Sequence, residues 1–175
     1  MTERYLRING MHSDAMNWVY QSFHFLRTKD KYDILEIGSL DINGSVRGIF
    51  DSFAASYTGL DVVAGPGVDI VADGATYSLP EAYDVIVTAE TFEHTPDWKK
   101  IILRSIENLR PGGIFIATMA GEGRPPHSAL DEKPIREWEH YSNIGWWELN
   151  QTLKSLFTNH EVNILNTDLR CWAVK

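Results

Sequence analysis

Apolar residues along this chain recur with two periods, and the alternation between the two sets the expected architecture. Behind the helix-capping residues Ser13 and Asp14, the positions Met16, Val19, Tyr20, Phe23 and Leu26 recur every three or four residues. An amphipathic helix is therefore expected to about Arg27. Asp30 and Lys31 turn the chain into an apolar run, Tyr32 to Ile37, read as the first strand. A polar loop broken by Gly38 and Gly44 follows, then a helix from about Ser45 to Ala54. The second strand is read from Ser56 to Leu60 and ends at Asp61. Gly65-Pro66-Gly67 stops any helix, which leaves a short connection into a third strand, Val68 to Ala72, ending at Asp73-Gly74. Strand four, Tyr83 to Ala89, is the clearest buried run. Pro96 stands near the first position of the next helix, whose stripe is Trp98, Ile101, Ile102, Ser105, Ile106 and Leu109. Arg110-Pro111-Gly112-Gly113 reads as its C-cap and tight turn, before strand five, Ile114 to Met119.

Residues 121 to about 143 break this rhythm. They are polar, contain Pro125, Pro126 and Pro134, and show no sustained period. A stretch of that length inside a compact domain is usually functional or disordered. A last helix is expected from about Trp146 to Phe157. Glu161–Leu165 and Leu169–Val174 come next, joined by Asn166-Thr167-Asp168 as an antiparallel hairpin. Strand and helix thus alternate before a closing hairpin. The expected fold class is α/β, a three-layer αβα sandwich on a mostly parallel seven-stranded sheet with an antiparallel C-terminal hairpin. A single domain, 1–175, is expected, with 1–30 as an N-terminal helical cap and 121–143 as a substrate lid loop.

Composition narrows the partners. The 175 residues carry 16 Lys and Arg against 24 Asp and Glu, a net charge of −8. Nucleic-acid binders show a basic patch or stripe, and the sequence has no such run, so no nucleic-acid partner is expected. No apolar stretch approaches the roughly 20 residues that span a bilayer, and M-T-E-R-Y-L-R lacks the apolar core of a signal peptide. A cytoplasmic protein without a membrane partner is expected. The single cysteine, Cys171, reads as a small buried hydrophobe.

The candidate chemistry sits where the strands end. Glu36 and Gly38, Asp61, Asp73 and Glu90 all fall at the C-terminal ends of consecutive expected strands, the edge at which open parallel sheets bind ligands. A glycine turn running into a helix N-terminus is the usual nucleotide-cradling corner. Asp61 is suited to accept both hydroxyls of a ribose. Asp73 is suited to accept from an exocyclic adenine amine while the Gly74 amide donates to the ring. Both aspartates also read as simple turn formers. No metal is expected: Glu90, Glu93, His94 and His127 are competent ligand types, but their spacing is not diagnostic.

Taken in order, these motifs resemble the class I S-adenosylmethionine-dependent methyltransferases over about residues 30 to 175. L-E-I-G at 35–38 is similar to their first motif, G-L-D-V at 59–62 to the ribose-holding acid, and A-D-G at 72–74 to the adenine motif. Y-D-V-I-V-T-A-E-T-F-E-H at 83–94 is similar to their fourth strand and its exit, and L-R-P-G-G-I-F-I-A-T at 109–118 to the turn into the fifth. The resemblance implies S-adenosylmethionine as cofactor, held by Glu36, Gly38, Ser39, Asn43, Gly44, Asp61, Val62, Ala72, Asp73, Gly74, Ala89 and Glu90. It departs at Leu40 and Ile42, where the family's further glycines would stand, so the loop over the methionine part must take another path. His12 and the first helix are expected over the cofactor, and His94 at the N-terminus of the helix after strand four.

The acceptor is expected to be a small polar molecule, methylated at oxygen and sugar-like, with His127 and His140 as candidate catalytic bases. This follows from the acidic charge, the polar lid and the absence of an N-P-P-Y-like amine motif after strand four. Glu137, Glu139 and Tyr141 also lie in the lid. Trp138, Tyr141, Trp146 and Trp147 fit equally a ring-shaped acceptor's pocket, a core or a homodimer surface. Two other readings stand beside this one: a non-catalytic S-adenosylmethionine-binding protein, and an NAD-dependent oxidoreductase. The short second connection, the A-D-G motif and the hairpin disfavour the latter.

Overall fold

The computed structural model describes residues 13–131 and 133–175. Its elements follow the sequence rhythm closely: α1 (Ser13–Leu26), β1 (Tyr32–Ile37), α2 (Arg47–Phe50), β2 (Ala54–Asp61), β3 (Ile70–Val71), β4 (Tyr83–Ala89), a 3-10 turn (Phe92–His94), α3 (Trp98–Asn108), β5 (Leu109–Ala120), α4 (Trp146–Leu156), β6 (Asn159–Leu165) and β7 (Asp168–Val174). The strands form one sheet in the order β3-β2-β1-β4-β5-β7-β6. The first five are parallel, and β7 runs antiparallel to both β5 and β6. No helix among the described residues is long and apolar enough to cross a membrane.

Alternation along the strands assigns the two faces. Ile34, Val85, Val87, Ile114 and Ile116 bury one face against Val19 and Phe23 of α1 and Phe50 of α2. Leu35, Ile37, Ile86, Phe115 and Met119 bury the other against Ile101 and Ile102 of α3 and Leu149 and Leu153 of α4. A sheet apolar on both faces must be covered on both, which gives the three layers. Cys171 is fully buried in β7, as its composition suggested.

Five details differ from the periodicity. The helix expected over 45–54 is only one turn, because Phe50 and Phe53 lock under Phe23 at ring separations of 4.9 and 5.3 Å. Tyr32 N donates to Phe53 O, so β2 begins alongside β1 at once. The third strand, expected over Val68–Ala72, keeps only Ile70–Val71 as an edge. The 110–113 turn exists, but inside β5: Tyr83 pairs with Leu109 and Val85 with Ile114, so the intervening residues bulge out, with Gly112 at φ 75°. Pro96 precedes the helix's N-cap, Asp97, rather than occupying its first turn. The hairpin needs only Asn166-Thr167, and Asn166 adopts φ 56°, as a two-residue turn requires.

The short link between β2 and β3 folds back onto β2. Asp69 N donates to Gly59 O, Gly59 N donates to Asp69 Oδ2, and Arg47 holds the same carboxylate at 2.6 Å. A Cβ at Gly59 would lie 1.9 Å from the Gly67 carbonyl oxygen and 2.7 Å from Ser39 Oγ. Gly59→Ala must therefore push the 62–69 link away from the sheet. Overpacking of this kind costs about 1–3 kcal/mol, so the variant is expected to melt several degrees below the parent in a calorimetric scan. An unchanged melting temperature would refute the close approach.

Candidate functional site

Strand order reverses between β1 and β4, and the chain leaves that point in opposite directions. The crevice so formed at the C-terminal ends of the strands is a cavity of about 300 Å³. All twelve residues expected from the sequence to hold a cofactor line it. β1 delivers Glu36 and runs into Gly38 and Ser39, with Asn43 and Gly44 further along the loop. β2 delivers Asp61 and Val62, β3 runs into Ala72, Asp73 and Gly74, and β4 ends at Ala89 and Glu90.

The loop after β1 takes the altered path that its missing glycines implied. Gly38 sits at φ 77°, and a Cβ there would lie 2.1 Å from Thr91 Oγ1; the turn has room only for glycine. Gly38 N and Ser39 N donate to Leu60 O, and Leu40 N donates to Asp61 Oδ2 at 3.1 Å. Asp41 N then reaches Pro66 O, and Asp41 Oδ1 accepts from Gly44 N at 2.8 Å. Where the family pattern has glycines, this loop is braced by its neighbour, the 62–67 link.

The carboxylates are fixed rather than floppy. Asp61 Oδ1 also accepts from Val63 N at 3.0 Å, and Asp73 Oδ1 accepts from Ala75 N at 2.8 Å. Each aspartate is thus a turn former and a cavity residue together, and each oxygen keeps a further lone pair for hydroxyl or amine donors. Glu36 is buried, takes the Tyr57 hydroxyl at 2.9 Å and lies near Ser45 Oγ at 3.4 Å. Burial pushes its carboxyl up to about 7, against the pull of those donors and of Arg47. A cavity walled by Glu36, Asp61, Asp73 and Glu90 suits a ligand with cationic and hydroxyl groups, as S-adenosylmethionine has, so the donor set fits that cofactor.

At the other end of the cavity the residue types change. Glu90 adopts φ 54°, a conformation uncommon outside glycine and typical of functional sites. Arg124, which sequence reasoning missed, lines the cavity, lies 3.9 Å from Glu90 Oε2 and pairs tightly with Asp168. Its only sequence signal was a cation placed a few residues after strand five, at the start of a mixed-charge loop that also carries Lys133 and Arg136. His94 ends the 3-10 turn, not the helix after it, and lines the cavity with His127, Ser128 and Leu130. The rings of His94, His127 and Tyr141 touch pairwise, with centroids 5.1–5.5 Å apart. Burial, with His127 beside it, holds the His94 ring down to about 4. Glu93, wholly buried, is pushed up by burial and by the Glu90 carboxylate.

The described residues of 121–143 carry no helix, and the one strand-like pair among them is Gly121 with Ile144. Side chains hold them instead. Ser128 Oγ donates to Glu139 Oε1 at 2.6 Å, Arg136 donates to Ser128 Oγ at 2.6 Å, and Arg136 also pairs with Asp131 at 2.8 Å. This pull on Glu139 leaves the next residue facing outward: His140 is exposed and does not reach the cavity, although it makes a backbone hydrogen bond with His94. Trp138 and Trp147 are exposed, Trp146 lies at the surface with Nε1 on Val162 O, and no tryptophan lines the cavity. Nor does any residue of α1, which packs beneath the sheet. His12 falls outside the described residues.

Glu36 supplies a test of this electrostatic reading. Its folded value lies above the free carboxyl's 4.5, so the folded form gains relative stability below about 4.5 and loses it as pH rises through about 7. Glu36→Gln, which keeps one acceptor for Tyr57, removes that loss. The ligand-free variant is expected to match the parent near pH 4.5 and exceed its melting temperature increasingly to pH 8, by up to a few kcal/mol of stability. A difference independent of pH would refute the burial argument.

Comparison with known proteins gives the assembly a family. A family model described as a methyltransferase domain matches residues 18–167. No curated protein sequence matches. Among solved structures, the 1,6-didemethyltoxoflavin-N1-methyltransferase of Burkholderia thailandensis, bound to 1,6-didemethyltoxoflavin and S-adenosylhomocysteine, aligns with a TM-score of 0.67 at 15% identity, covering 92% of this chain and 78% of that one. The YcgJ protein of Bacillus subtilis aligns at 0.69 and 9%, covering 94% and 99%. Phosphoethanolamine N-methyltransferase 2 of Haemonchus contortus, with phosphomonomethylethanolamine and S-adenosylhomocysteine, aligns at 0.63 and 20%, covering 86% of this chain and 38% of that one. These likenesses concern the fold, whereas the family match spans most of the sequence. The chain belongs to the methyltransferase-domain family, as a class I S-adenosylmethionine-dependent methyltransferase.

Proposed function

We propose that this chain methylates a hydroxyl oxygen of a small polar, sugar-like metabolite. The observation that carries the reading is the set of the groups at the acceptor end of the cavity. His127 Nδ1 lies 3.2 Å from the Pro125 carbonyl oxygen, which can only accept, so Nδ1 carries the proton and Nε2 keeps a lone pair. A poorly acidic hydroxyl needs a proton acceptor, and His127 is the cavity-lining residue in the right state to be one. His140 is assigned a positioning part through its backbone bond to His94.

The bound cofactor supplies a methyl group on a sulfonium sulfur, open to in-line attack. Asp61 would accept from the ribose hydroxyls, and Asp73 with the Gly74 amide would take the adenine. Glu36, Gly38, Ser39, Asn43 and Gly44 would hold the methionine part. Val62, Ala72, Ala89 and Glu90 complete the wall. His127 Nε2 would take the hydroxyl proton as the acceptor oxygen receives the methyl group that the cofactor would supply, its sulfur keeping the electron pair of the broken bond. Alignment supplies most of the acceleration in such a displacement, so the 121–143 loop serves as the acceptor's lid.

Two substitutions separate the roles. Asp61→Ala removes a charged acceptor, worth about 1.5–3 kcal/mol per hydrogen bond. It is expected to weaken S-adenosylhomocysteine binding by calorimetry roughly 10–100-fold. His127→Ala is expected to leave that affinity unchanged and lower turnover roughly 10²–10⁴-fold, measured as methyl ether formed from pooled hydroxylated metabolites by mass spectrometry. Products methylated at nitrogen alone would overturn the oxygen reading.

A further inference from the structure

Behind the acceptor end of the cavity, Glu93, His94 and His127 each offer one ligand atom, and these atoms all lie within 4.8 Å of one another. Two come from adjacent residues in the turn that leaves β4, and the third from the loop across the cavity. Three independent details point to a ligand here.

The Glu93 side chain is fully buried. Its Oε1 accepts from Ala120 N at 3.1 Å, while Oε2 has no hydrogen-bond partner among the described residues. A buried carboxyl oxygen left without a partner is costly, and a cation, by displacing any proton held there, would satisfy it. Both imidazoles, moreover, are tied by the backbone: His127 Nδ1 to the Pro125 carbonyl, and His94 to His140. Metal-binding histidines are held in this way, with one nitrogen on an outer acceptor and the other turned to the ion. Finally, Tyr141 packs on both rings, and its own buried hydroxyl also lacks a partner among the described residues.

We propose that Glu93, His94 and His127 form a binding site for a divalent first-row transition ion, with its remaining positions open to the acceptor cavity. Two imidazoles and one carboxylate suit zinc or manganese better than magnesium or calcium, which favour oxygen ligands throughout. Bonds of about 2.0–2.2 Å put ligand atoms roughly 3–4 Å apart, so loading draws the three together slightly and ties the lid loop to the end of β4. His127 Nε2 cannot both hold an ion and take a proton. In the loaded protein the ion would act on the acceptor oxygen as a Lewis acid, a role that rests on the oxygen-acceptor reading; the site itself does not.

Chelator-treated full-length protein is titrated calorimetrically with Zn²⁺ and Mn²⁺, and Co²⁺ loading is followed by its visible absorption. One equivalent is expected to bind, with affinity reduced roughly 10–100-fold in His94→Ala and His127→Ala. Absence of binding in the parent protein, or affinity in both variants unchanged from the parent's, overturns the proposal. S-adenosylhomocysteine affinity, measured on the same samples, certifies the folded cavity; His127→Asn, on the surface loop, decides the matter if His94→Ala fails to fold. Metal binding without methyl ether formation would leave this site standing and sink the acceptor reading, whereas methyl ether formed by protein that binds no ion would do the reverse.

Discussion

The hydrogen at Gly59 is the constraint on which the cofactor end of this molecule depends. Because β2 has no side chain there, the 62–69 link can lie directly on it, with the Gly67 carbonyl and Ser39 Oγ in the space a methyl would fill. That close approach brings Pro66 O to Asp41 N and sets Asp61 where its carboxylate receives Leu40 N. The loop after β1 is therefore shaped from outside by its neighbour, rather than from inside by a run of glycines. An altered glycine motif need not mean an altered cavity when another loop supplies the missing constraint.

The two ends of the cavity follow different physical rules. The cofactor end is built from carboxylates whose positions are set by backbone N–H groups, so its geometry belongs to the sheet edge itself. The opposite end is built from side chains on loops, with Arg124 bridging toward Glu90 and Asp168, and Ser128, Glu139 and Arg136 holding one another. Edges of a scaffold are stiff, and loops held by side-chain networks are adaptable. On the function proposed above, cofactor chemistry would belong to the stiff sheet edge and acceptor choice to the loop segment that can vary.

The same division explains what was legible in the sequence. β1, β4, β7 and the aspartates at the strand ends could be read because apolar period and turn chemistry act locally. The length of α2 could not, since Phe50 and Phe53 are stopped by Phe23, more than twenty positions earlier. The 110–113 segment was correctly a turn, but pairing with β4 and β7 absorbed it into a strand as a bulge. Arg124 and the outward turn of His140 depend on partners 44 positions away or on a loop network without periodicity. Periodicity carries no information about either.

Cys171 has a consequence of another kind. It lies fully buried in β7, paired with Ala117 on one side and Val162 on the other, and burial pushes its thiol above the ordinary range. Thiolates react and thiols do not, so this sulfur is chemically silent while the sheet is closed. Alkylation at this one position would record each parting of β7 from β5, giving the chain a built-in clock for the opening of its own sheet.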